Sequence, residues 1–124
     1  MIRFLLILTG VMGASGVALA AAAAHYASGV GLDSAAYMLL FHASAVIAII
    51  VAAERSLLSR TLGLTAALAL VVGAALFSGD LAVRAFMQQK LFPMAAPIGG
   101  MLLIAGWIVV VPAALFARHQ TPNR

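Results

Sequence analysis

A chain of 124 residues with seven basic and three acidic side chains, against 65% hydrophobic ones, has too few charges for a water-soluble domain, where about a quarter of residues are charged. The formal charge of +4 is spread too thinly for a nucleic-acid surface, so the basic residues are expected to set orientation in a membrane instead. The absence of cysteine excludes disulfides, thiolate metal sites and cysteine nucleophiles.

At about 20 residues per span, the length allows a single domain of four transmembrane helices joined by short loops, an all-α integral membrane fold. The first apolar stretch, residues 4–24, follows Arg3. Its start imitates a secretory signal, with Ala18-Leu19-Ala20 in the place of an A-x-A cleavage site. The apolar run continues to Ala24, so a retained spanning helix is expected. Gly10, Gly13, Gly16, Ala20 and Ala24 make a smooth stripe on which another helix is expected to pack closely. A Gly- and Ser-containing turn over 25–34 follows, with Asp33 or Ser34 as the expected cap of the next helix.

The second span, 35–53, carries His42, and a polar turn over 54–60 leads to the third span, 62–86. That span is uncharged from Leu62 to Gly79 and then holds Asp80 and Arg84, one helical turn apart. Ionisable groups in such a position are costly unless paired or wetted, which makes them the first candidates for function. The fourth span, 94–117, has Pro93 and Pro97 at its entrance, where early helix N–H groups lack partners anyway. Pro112 lies deeper and is expected to kink it.

With four spans both ends lie on one side. That side holds Arg3, Arg55, Arg60, Arg118 and Arg124, against Arg84 and Lys90 on the other. The imbalance predicts cytoplasmic termini. Counting along each span at the helical rise places His42 and Asp80 at a similar depth, roughly 10 and 9 Å below the outer surface. Gly99 and Gly100 fall near that level, and His25 lies at the outer end of the first span. An outer-leaflet polar cluster of His25, His42, Asp80, Arg84, Gly99 and Gly100 is therefore expected.

The bland reading of Asp80 and Arg84 is mutual neutralisation at the favourable i,i+4 spacing, with the arginine reaching outward. The sharper one turns Asp80 into the bundle, towards His42 or a ligand. His42 is either a core histidine satisfied by a hydrogen bond or, beside a carboxylate, a protonation-linked group. A bis-histidine haem from His25 and His42 is disfavoured by their different depths. A copper site from Met38, His42, Met94 or Met101 lacks a dense motif. Neither a serine motif, a phosphate loop nor a carboxylate array is present, so no enzyme, metal or cofactor is expected.

The segment YMLLFHA, from Tyr37 to Ala43, resembles a Tyr…His-Ala element of the YgdD/YwdK family of small inner-membrane proteins, the domain of unknown function numbered four-two-three. GAALFSGDL, from Gly73 to Leu81, resembles its G-I-x-L-F-S-G-S-L element. PIGGMLLIAGW, from Pro97 to Trp107, resembles its T-P-x-G-G-x-x-F-I-x-G-W element, and Ala24-His25 stands where the family carries G-A-H-G-L. Asp80 replaces a usual serine and Arg84 has no counterpart, so a role for Asp80 would not be shared across the family. The resemblance implies a four-helix inner-membrane protein and no established activity. The expected function is accordingly non-enzymatic: binding of a lipid or small amphiphile, or interaction with a membrane partner or a second copy. The alternative is a small oligomeric transporter or proton-coupled permeation element.

Overall fold

A computed structural model describes residues 1–25 and 31–117. It contains α1 (Ile2–His25), α2 (Leu32–Glu54), α3 (Arg60–Met87) and α4 (Ala95–Leu115), and no strand among the described residues. All four helices are long and apolar enough to cross a membrane. The expected turn at 25–34 falls largely on residues 26–30, and the tail with Arg118 and Arg124 on 118–124; both stretches lie outside the described residues.

The helix starts differ from expectation by one to three residues. The α2 helix begins at Leu32, capped by the backbone of Gly31 in a left-handed conformation (φ 80°), so Asp33 and Ser34 lie inside the first turn and cap nothing. A side chain can cap only from the residue before the first helical one, and glycine takes the positive φ without a Cβ penalty. The α3 helix is longer than the apolar run, because Arg60 and Thr61 at one end and Met87 at the other continue it without a breaker.

Helix α3 is the hub: α4, α2 and α1 all pack on it, and α1 also packs on α2. Sequence spacing explains the α3–α4 seam. Gly73 on α3 faces Gly99 on α4, where a Cβ on Gly99 would come within 2.7 Å of the Gly73 carbonyl oxygen and 2.6 Å of the Phe77 nitrogen. Gly106 meets Leu70 one level further along. Such backbone-to-backbone approach is the usual way membrane helices gain dispersion contact, since lipid leaves little hydrophobic drive for association.

The stripe on α1 is only partly used. Gly16 lies against Leu40 and the Ala36 carbonyl of α2, whereas Gly10 and Gly13 have open space where a side chain would project. The reason is angular: residues three and six before Gly16 drift around the helix by roughly 60° and 120°, leaving the contact line. The core that remains is aliphatic, with Leu5, Val46, Leu70 and Ala74 fully or nearly fully buried.

Charges mark the membrane boundaries. Arg60, paired with Glu54 at 2.9 Å, and Asp80 stand 20 residues apart on α3, about 30 Å along a helix, which matches a hydrocarbon core. The Arg60 end is also the end of Met1, which shares a cleft with Arg60, Thr61 and Thr65. There the Ser59 N–H donates to the Ala113 carbonyl at 2.7 Å, tying the α2–α3 turn to the end of α4.

Candidate functional site

The expected cluster separates into two polar pairs, and an apolar groove that holds none of its members runs beside α3. At the boundary, Asp80 is fully buried (0% exposed). Its Oδ2 accepts from Arg84 Nε at 2.8 Å and Nη2 at 2.7 Å, a two-pronged charge-assisted pair. Its Oδ1 accepts from the backbone N–H of Leu91 at 2.8 Å. The carboxylate therefore fixes the α3–α4 connection as well as balancing Arg84, and both of its oxygens are engaged within this local structure.

His42 lies elsewhere. Ser78 Oγ donates to the Ala35 carbonyl at 2.9 Å, which aligns Ala35 of α2 with the Asp80 end of α3. His42 is seven residues further along α2, about 10 Å deeper and near the middle of the span. Its partner is Trp107 of α4, whose Nε1–H donates to His42 Nε2 at 3.3 Å, with the rings edge-on at 6.2 Å between centroids. Indole nitrogen is a donor only, so Nε2 must accept and the ring proton sits on Nδ1, donating to the Met38 carbonyl at 2.8 Å. This is a neutral, fully satisfied histidine that links α2 to α4.

The remaining expected members disperse. His25 is exposed at the end of α1. Gly99 serves the α3–α4 seam, and Gly100 has nothing within contact distance of where its side chain would be. The structure thus unites Asp80 with Arg84 and does not bring either to His42, His25 or Gly100. Depth counted along each span from its assumed end gave the wrong level for His42, because α2 begins three residues earlier than expected and α3 extends beyond the membrane boundary. Trp107 was the missed partner. The lone tryptophan of the chain, mid-helix with a donor that lipid cannot satisfy, was the available signal.

A groove of about 520 Å³ opens between α1 and α3, lined by residues that include Val11, Ser15, Leu19, Leu39, Ala75 and Ala82. Its lining is almost wholly apolar. On α3 the groove residues Ala75, Ser78 and Ala82 point roughly 150° away from the Gly73 and Phe77 face that meets α4, at 100° per residue. Groove and Asp80 thus occupy opposite sides of one helix. Among the described residues no buried side-chain nitrogen or oxygen lacks a hydrogen-bond partner, and no group of three metal-ligating side chains converges.

These features define a small helical integral membrane protein with an apolar groove and closed polar pairs. The family model "Protein of unknown function (DUF423)" matches residues 9–100, and the chain belongs to that family. It is also similar to the "UPF0382 membrane protein SH2409" of Staphylococcus haemolyticus (strain JCSC1435), 40% identical over 42 residues that cover 34% of this chain and 34% of that relative. The match thus spans about a third of the relative's length. No solved structure matches.

Proposed function

We propose that this is a non-enzymatic inner-membrane protein with cytoplasmic termini that holds a lipid or small amphiphile, its acyl portion lying in the α1–α3 groove. The observation that carries this reading is the groove itself: one-sided, apolar, and located within the spanning part of the helices. Its walls offer dispersion contact to a hydrocarbon chain and no more than two hydroxyls, Ser15 and Ser78, the second of which is already bonded to Ala35. The rival reading, an oligomeric permeation element, draws on His42 at mid-span, a position where ionisable groups are commonly functional.

Native mass spectrometry of the detergent-extracted protein tests the proposal. The expected result is retained phospholipid or amphiphile, lost when Ala75→Phe fills the groove while helicity is unchanged. An unliganded wild-type protein, or equal retention by the variant, overturns it. Proton flux in proteoliposomes that His42→Ala abolishes would establish the rival instead.

A further inference from the structure

The end of the bundle remote from Met1 carries an unusual arrangement. Helix α3 continues seven residues beyond Asp80 to Met87, about 10 Å past the membrane boundary defined above. The chain then returns: the Leu91 amide is bonded to the Asp80 carboxylate, so the connection descends beside α3 to the level at which α2 and α4 begin. Gln88 (φ 55°) and Met94 (φ 71°), both in the left-handed region without being glycine, bracket this descent. Such conformations are unfavourable in L-residues and persist where the surroundings hold them.

What the descent displays is mostly apolar. Met87, Leu91, Phe92 and Met94 are exposed, Phe92 by 40% and Met94 by 58%, with exposed Lys90 among them. A loop facing water would not normally gather four large apolar side chains in eight residues. The patch is continuous with the lipid-facing surface of α4, where Ile98 and Met101 are exposed next in sequence. Its charges suit a phosphate layer: Lys90 is exposed, and the Arg84 side chain is 36% exposed even while paired with Asp80. Apolar side chains below and cations above form the pattern of groups that settle at a headgroup boundary.

We propose that the 88–94 connection and the overhanging end of α3 dock on the phospholipid interface of their own leaflet, with Leu91, Phe92 and Met94 among the upper acyl carbons and Lys90 at the phosphates. Asp80 is the clasp that lays the connection down at that depth. The connection contributes none of the residues that line the α1–α3 groove, although the Leu91 side chain approaches Gly79, which does, and the proposal does not depend on the groove having an occupant.

The cysteine-free chain allows a clean test. Phe92→Cys and, separately, Leu91→Cys would each carry an environment-sensitive fluorophore in vesicles of phosphatidylethanolamine and phosphatidylglycerol, with helicity checked for both. Quenching is compared between a nitroxide at acyl carbon 5 and iodide present on both sides of the bilayer. The expected result is stronger quenching by the lipid nitroxide than by iodide at both positions, and at least a twofold rise in iodide quenching when Asp80→Leu releases the clasp. Iodide quenching equal to or greater than lipid quenching at both positions overturns the docking proposal, since the connection then stands in water or against a water-bathed partner. Unchanged iodide quenching in the Asp80→Leu background overturns the clasp.

Discussion

The two outer faces of α3 meet their neighbours in opposite ways. Against α4 the contact is backbone to backbone at Gly73 and Gly99, with no room for a methyl group, while Gly106 meets the Leu70 side chain. Against α1 the same helix leaves a groove of about 520 Å³, because α1 is held chiefly by α2 through Gly16 and only loosely by α3. One helix thus supplies a rigid seam on one side and a fillable space on the other. The lesson is that glycine in these spans marks packing only where it lies on the line of contact, and that the place for an apolar occupant is where such contact is missing.

The contrast is broken most severely at Gly99. Gly99→Leu should separate α3 from α4, since neither the Gly73 carbonyl nor the Phe77 amide can yield as a flexible side chain would. Overpacking commonly costs 1–3 kcal/mol, and here a loss of about 3 kcal/mol or more is expected. Reversible unfolding in mixed micelles measures it, and a loss below about 1 kcal/mol would show that the seam is not rigid.

A smaller effect sharpens the picture on α1. Gly16→Leu should cost about 1–3 kcal/mol, because its nearest obstruction is the movable side chain of Leu40, with the Ala36 carbonyl behind. Gly13→Leu, pointing into open space, should stay within about 0.5 kcal/mol of the parent. Equal losses from the two would mean that the Gly13 face of α1 is covered in the membrane, most simply by a second copy of the chain.

The smallest expected effect concerns the mid-span link. Trp107→Phe removes the indole donor from His42 while keeping most of the ring, and interhelical hydrogen bonds of this kind average about 0.6 kcal/mol in membranes. The same micelle unfolding detects it. A cost well above about 2 kcal/mol would mean that the His42–Trp107 contact, which joins two helices that otherwise do not pack together, organises the bundle.

The position of each polar residue along its own helix was legible from the sequence, as were four spans, their approximate bounds and the Asp80–Arg84 pair. Rise per residue and local i,i+4 geometry fix those without reference to any neighbour. Which way Asp80, His42 and Gly13 face was not legible. In a water-soluble helix the polar face would have shown it, but here lipid and core are equally apolar, so the pattern that separates inside from outside is absent. Stagger was hidden for the same reason: the Ser78–Ala35 bond and the Gly73–Gly99 contact set the heights of α2 and α4 against α3, and those heights parted His42 from Asp80. The return of Leu91 to the Asp80 carboxylate was likewise a tertiary decision, because a buried carboxylate needs more acceptor bonds than one arginine provides and takes the nearest backbone amide.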